Sequence, residues 1–176
     1  MTNKLKVAVP TATVIIYKEN DPSKVVTMKS GSKHKFKSIL PGGRVKIGHQ
    51  NWLETAIDEA KEEVNVKNLK DIEIFCLCSK VDRDVRNVSL EKYLDGNPIP
   101  DGVSADVQIE SHHTFDTVFI ASSDTVPTPD GVETNETFYT DVNNFNAEDF
   151  ALDHGLILKA YADYLKTGKK PDIDQF

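Results

Sequence analysis

The chain has 176 residues, with 28 acidic against 21 basic side chains, a formal net charge of −7, and 39% apolar and 28% charged residues. That length and composition suit one globular domain with a core of its own and exclude a disordered chain or a disulfide-stapled mini-protein. The acidic balance, with no basic stripe, argues against a nucleic-acid polymer as partner, but not against small phosphorylated ligands whose charge metal ions can meet.

The stretch after Lys4 and Lys6 is too short and too interrupted for a signal peptide, and the longest apolar run, residues 14–17, is far below membrane-span length. The chain therefore reads as cytoplasmic, with no membrane partner. Residues 5–17 alternate and then run apolar with several β-branched side chains, which predicts a strand, and Pro10 marks an edge, a bulge or a break in it. Asn20-Asp21-Pro22-Ser23 is a turn and residues 24–28 a return strand, completing a hairpin. A polar, basic loop over 30–37 leads to Leu40-Pro41-Gly42-Gly43, a short Val45-x-Ile47 segment and Gly48, and then to a helix over 50–64.

Residues 71–81 read as a buried strand and 82–86 as a charged turn after it. In that strand Cys76 and Cys78 share a face with backbones about 6.5–7 Å apart, at the limit for a disulfide. Two buried, reduced thiols are favoured over a redox or metal pair, and no second Cys/His pair completes a zinc site. Residues 91–108, rich in Gly, Pro and Asp, form a long surface insertion. A strand over 113–121, a turn-rich loop over 122–134, a short strand over 136–142 and a helix over 149–165 close the chain. The order of elements predicts an α+β or α/β sandwich.

The helix over 50–64 carries the most information. At about 100° per residue, Leu53, Ala56, Ile57, Ala60 and Val64 fall in one arc, while Glu59, Glu62 and Glu63 fall in the arc beside it. Like charges three and four residues apart repel by a few tenths of a kcal/mol per pair (roughly), and a divalent cation compensates better than a lysine. Surface helices often carry solvated glutamates. The Gly-Gly turn in front of this one shifts the balance, because it sets backbone amides beside the carboxylates, an arrangement that holds a diphosphate and its Mg²⁺ ions together.

These segments resemble the Nudix hydrolases, whose box runs from a glycine through a glutamate to a helical Arg-Glu, aliphatic, any, Glu-Glu pattern closed by a glycine and an aliphatic. Leu40-Pro41-Gly42-Gly43 matches the lead-in, Gly48 the glycine before the first glutamate, and Asp58-Glu59-Ala60-Lys61-Glu62-Glu63-Val64-Asn65-Val66 the second half. Four departures stand out. His49 replaces the first glutamate, the middle spacer is one residue longer, Asp58 stands in place of the arginine, and Asn65 replaces the closing glycine. Asn tolerates a left-handed backbone and can still close the helix. Losing the arginine bears on catalysis more than on the fold.

Asp82-Arg83-Asp84-Val85-Arg86, Glu136-Thr137-Phe138-Tyr139 and the stretch from Phe150 through His154 to Leu158 are similar to segments of the ADP-ribose pyrophosphatase branch. The resemblance implies an α/β/α sandwich with a mixed sheet. It also implies Mg²⁺, with Mn²⁺ as an alternative, on Glu59, Glu62 and Glu63, and catalysis by Glu62 and Glu63 with a general base from Glu110, Glu133 or, preferred, Glu136. A nucleotide substrate would be bound through Gly42, Gly43, Arg44, Arg83 and Arg86, most simply ADP-ribose, with a nucleoside triphosphate or dinucleotide polyphosphate as alternatives, and homodimers are common in the family. Arg83 and Arg86 suit a phosphate or ribose clamp and equally suit pairing with Asp82 and Asp84. Phe138 and Tyr139 suit an adenine stack or a core. His154 reads as a structural histidine at a helix start, His112 and His113 as strand residues on opposite faces, His49 as a loop residue and Trp52 as packing. A third reading is a Nudix-fold sensor that binds ADP-ribose without turnover, favoured by Asp58 and opposed by the complete glutamate set.

Overall fold

The computed structural model describes residues 4–172 apart from 32–33, 35, 47–50, 95 and 132–133, and only the backbone of 80–87, 111–113 and 135. Among the described residues seven strands form one mixed sheet. They are β1 (Lys4–Lys18), β2 (Asp21–Ser30), β3 (Ser38–Ile39), β4 (Gly42–Arg44), β5 (Lys70–Ser89), β6 (Gln108–Ser123) and β7 (Thr134–Asp141), with helices α1 (Trp52–Val64), α2 (Leu90–Leu94) and α3 (His154–Thr167). β1 runs parallel to β6 along its whole length, and the remaining pairings are antiparallel.

The alternation of β1 sorts the core into two layers. Ala12, Val14 and Ile16 pack with Ala56, Ala60 and Val64 of α1, whereas Ile15 packs with Ile157, Leu158 and Tyr161 of α3. Helices therefore cover both faces of the sheet, the three-layer sandwich that the resemblance implies and that agrees with the α+β or α/β order of elements. On the α3 side Phe75 meets Tyr161 edge-on at 5.9 Å between ring centroids, and burial pushes the Tyr161 hydroxyl above its ordinary pKa while it donates to Pro22 O.

The feature that shapes the site is a fork. β1 and β2 pair only near their turn, through Tyr17 with Val25 and Lys18 with Asp21. Beyond that they diverge: β2 takes β3 as neighbour through Met28 and Lys29, and β1 takes β4 through Thr11, Ala12 and Thr13. Leu40 and Pro41 cross the gap, anchored where the Val14 N–H donates to Pro41 O. His154, at the start of α3 and 4% exposed, accepts the Leu40 N–H on Nδ1 at 2.9 Å, which bears out its structural reading. Replacing His154 with leucine strands that buried N–H, and the stability measured by chemical denaturation is expected to fall by about 1–3 kcal/mol; an unchanged midpoint would contradict this role for the imidazole.

Several predicted boundaries move. The charged residues 82–86 do not make a turn. β5 continues to Ser89, and because Val81 pairs with His113 and Arg86 with Ser111, residues 82–85 bulge opposite a single residue of β6. Among the described residues β5 has a neighbour on one side only, and charged residues are a common property of such edges. The Gly-Gly turn is itself a strand, β4, and the strand does not start at Val45; Ile47 lies outside the described residues. The insertion opens with α2 rather than as loop throughout, and the last helix begins at His154 after a short 3-10 turn over Ala147–Asp149. Pro10 neither breaks nor ends β1; the irregularity lies between Val7 and Ala8, and Pro10 O accepts the Val45 N–H. Cys76 and Cys78 are both free and buried with sulfurs 3.9 Å apart, and the hydrogen bond shared with Cys76 together with burial pushes the Cys78 thiol up, away from thiolate chemistry. No helix among the described residues is long and apolar enough to cross a membrane.

Candidate active site

α1 starts on a capping box: Asn51 accepts the Glu54 N–H at 2.9 Å and Glu54 returns a bond to the Asn51 N–H, a device that stabilises a helix by about 1 kcal/mol. It ends at Asn65, whose φ of 55° supplies the left-handed closure expected of a residue replacing glycine. Asn65 does more than close the helix. Its side-chain amide donates to Thr128 O and Pro129 O, which ties the 122–134 loop to the end of α1. The Thr134 hydroxyl adds a bond to Glu63 O at 2.9 Å.

Ala56, Ala60 and Val64 of the predicted apolar arc are buried, but Leu53 is 40% exposed and Trp52 42%, so neither packs as expected. The arc points the right way along the whole helix, but its first turn is not covered. Glu63 and Glu59 both turn toward β4. The Gly42 N–H donates to Glu63 Oε2 at 3.0 Å, and Glu63 is only 8% exposed. The reason is visible in the ladder: Val45 N–H and Val14 N–H bond across to and from β1 and the crossing segment, so the amides of residues 42 and 44 point away from β1 into the fork. Glu63 fills that space.

Glu59 lies against the neighbouring glycine. A Cβ placed on Gly43 would come 2.5 Å from Glu59 Cδ and overlap its Oε1, while one on Gly42 would come 2.5 Å from Ala12 O and 2.9 Å from Thr13 Cα. The two glycines thus have different causes: Gly42 lets β4 approach β1, and Gly43 makes room for a carboxylate. Glu62, the third glutamate, is exposed on α1.

Among the described residues no three His, Cys, Asp or Glu side chains converge as a closed metal cage. Mg²⁺ does not need one, since it usually takes one or two carboxylates with waters and substrate phosphates filling the octahedron. Glu59 and Glu63, hard oxygen donors four residues apart and steadied by β4, suit that requirement.

The other predicted residues are spread around this centre. Arg44, at the end of β4, donates from Nη2 to Lys92 O at 3.3 Å and stacks its guanidinium 5.5 Å from the centroid of the Tyr93 ring. Tyr93 and Lys92 were not legible as site residues, because nothing local marks a pairing across half a hundred positions of sequence. Glu136 is exposed and sits where β7 loses register against Met28 and Ser30 of β2. Glu110 pairs with Lys4 at 2.9 Å, and Glu133, Gly48 and His49 lie outside the described residues. For Arg83, Arg86, His112 and His113 only the backbone is described. Phe138 and Tyr139 are half-buried, each beneath a lysine ammonium, Lys29 at 5.7 Å and Lys18 at 5.8 Å.

Asp116, on β6 and 2% exposed, accepts from the Thr13 hydroxyl at 2.8 Å and the Thr11 hydroxyl at 3.0 Å. These threonines pair with Gly42 and Arg44, so this buried carboxylate underlies the strand that carries the site. Sequence reading passed over it, because an acidic residue amid strand-forming neighbours gives no sign of which hydroxyls will meet it.

The family model for the NUDIX domain matches residues 8–161. No curated protein sequence matches the chain. Among solved structures it is similar to a NUDIX hydrolase from Nitrosomonas europaea, with 18% identity, a TM-score of 0.64, and coverage of 94% of this chain and 77% of that one. It is also similar to the NUDIX domain of Shewanella oneidensis NrtR complexed with ADP ribose, with 17% identity, a TM-score of 0.63, and coverage of 93% and 91%. A third is a bifunctional NMN adenylyltransferase/ADP ribose pyrophosphatase from Francisella tularensis, complexed with AMP and a Mn ion, with 13% identity, a TM-score of 0.58, and coverage of 92% and 42%.

Proposed function

Because the chain belongs to the Nudix family, we propose that it is a divalent-metal-dependent enzyme that hydrolyses ADP-ribose to AMP and ribose 5-phosphate in the cytoplasm. The reaction class is that of the Nudix pyrophosphohydrolases. In the balanced reaction a water oxygen adds to one phosphorus, the P–O–P bridge breaks, and the water proton leaves to a base.

The observation that carries this reading is the seating of two helix carboxylates on two consecutive glycines, Glu63 on the Gly42 N–H and Glu59 against Gly43. These two would hold Mg²⁺, or Mn²⁺ in its place, with Glu62 beside them. When bound, the ion neutralises the diphosphate and polarises phosphorus as a Lewis acid. The chain's own contribution is orientation. A carboxylate already bonded to a backbone N–H does not have to be ordered when substrate arrives, and preorganised charge is where such sites gain most. Glu62 and Glu63 are the proposed catalytic carboxylates, and Glu136, on the irregular start of β7, is the proposed acceptor of the water proton. Arg44, with Arg83 and Arg86, binds the substrate's anionic groups, and Gly42 and Gly43 form the wall beside them. Support for the substrate comes from the segments 82–86 and 136–139, and from two structural neighbours, one complexed with ADP ribose and one a bifunctional ADP ribose pyrophosphatase.

The test is a product assay on ADP-ribose, NADH and nucleoside triphosphates with Mg²⁺. Release of AMP and ribose 5-phosphate from ADP-ribose ahead of the others is expected. Strong triphosphate turnover with none on ADP-ribose overturns the substrate. Calorimetric binding of ADP-ribose without hydrolysis supports the sensor reading, which Asp58 in the arginine position favours.

A further inference from the structure

Arg44 is held from outside its own strand. Its guanidinium donates to Lys92 O at 3.3 Å and lies 5.5 Å from the Tyr93 ring centroid, and both partners belong to α2, the first turn of the 91–108 insertion. α2 is in turn fixed at its start, where the Ser89 hydroxyl accepts the Lys92 N–H at 3.2 Å. Arg44 follows directly on Gly43, against which the Glu59 carboxylate is seated. Among the described residues the guanidinium donates to this single carbonyl. A guanidinium carries five N–H donors in a rigid plane. Lying over a tyrosine ring and spending one donor on a carbonyl restrains the guanidinium and leaves its other donors for an anion.

We infer that Tyr93 is a positioning residue for Arg44, and that the 91–108 insertion sets the affinity for the anionic part of a nucleoside-diphosphate substrate through this stacked pair. The inference rests on the proposed function for the identity of the ligand, but not for the pairing itself. A flexible arginine loses side-chain freedom each time it binds an anion, a cost that weakens binding. Tyr93 removes part of that cost in advance. The loss of the ring should therefore appear in binding and not in the chemical step.

The experiment compares the full-length parent with Tyr93→Leu, Tyr93→Phe, Arg44→Ala and the double variant Tyr93→Leu/Arg44→Ala, with KM and kcat for ADP-ribose measured under Mg²⁺. Tyr93→Leu is expected to raise KM about five- to ten-fold with kcat within about two-fold, corresponding to the loss of preordering above. Tyr93→Phe, which keeps the ring, should behave as the parent. The double variant should be no worse than Arg44→Ala alone, because coupled residues do not add. An unchanged KM in Tyr93→Leu, a loss confined to kcat, or additive losses in the double variant overturns the inference. If the parent hydrolyses no nucleotide, the proposed function fails separately, and calorimetric binding of ADP with Mg²⁺ to the same variants reads the inference: the same pattern in Kd supports it. A parent that binds no ADP overturns it.

Discussion

Glu63→Gln is expected to lower Mg²⁺-dependent diphosphate hydrolysis by about a hundred- to a thousand-fold while leaving the fold in place. The expectation rests on a separation that the geometry provides. Glu63 Oε2 accepts the Gly42 N–H at 3.0 Å, and the glutamine amide oxygen can accept the same bond. The ladder around the fork is therefore retained, and only the negative charge is lost. Two measurements check this together: kcat across a Mg²⁺ titration and the thermal midpoint of the variant. A parental rate at saturating Mg²⁺ would remove Glu63 from the metal site. A large drop in the midpoint would show that the charge serves the fold and not the chemistry.

The two glycines give the second large effect, because alanine at each meets a different obstacle. At Gly42 the added Cβ runs into Ala12 O and Thr13 Cα, backbone atoms of β1 that cannot step aside without breaking the pairing. Gly42→Ala should cost about 1–3 kcal/mol of stability, the range for overpacking, and activity should fall with the folded fraction. At Gly43 the obstacle is the Glu59 carboxylate, the end of a flexible side chain. Gly43→Ala should leave stability within about 1 kcal/mol of the parent, yet lose at least about ten-fold in specific activity by displacing Glu59, a proposed metal ligand. Denaturation curves and rates measured on the same preparations decide it. Equal destabilisation by the two, with specific activity preserved in Gly43→Ala, contradicts the role given to Glu59.

The helix and its carboxylates were legible in the sequence because one period controls both. The spacing that buries Ala56, Ala60 and Val64 also aims Glu59 and Glu63 at the next element along. The layered α+β architecture followed from the order of strand and helix signals, and the left-handed closure at Asn65 from the known tolerance of asparagine. What was missed has specific causes. Periodicity says which side of a helix faces the sheet but not how far the sheet extends, so Leu53 reads as core and is 40% exposed. Glycines read as a turn, yet Gly42 and Gly43 lie in a strand because only a strand without side chains can fit between β1 and α1. Charges at 82–86 read as a turn because composition does not reveal that β5 is an edge. The Arg44–Tyr93 stack and the threonine bonds to Asp116 join segments far apart in the chain, and no local pattern foretells them.

The fork between β1 and β2 has an evolutionary consequence. The carboxylates at its throat are seated on strand backbone, so a drift in their position would have to shift the pairing of β1 with β4 as well. Residues 90–94 and 122–131 are joined to β4 and to the end of α1 through a few bonds: an arginine to a carbonyl, an asparagine amide to two carbonyls, an amide N–H to Val64 O. Such a molecule can exchange one clientele for another by rewriting its loops while the reactive centre is inherited intact.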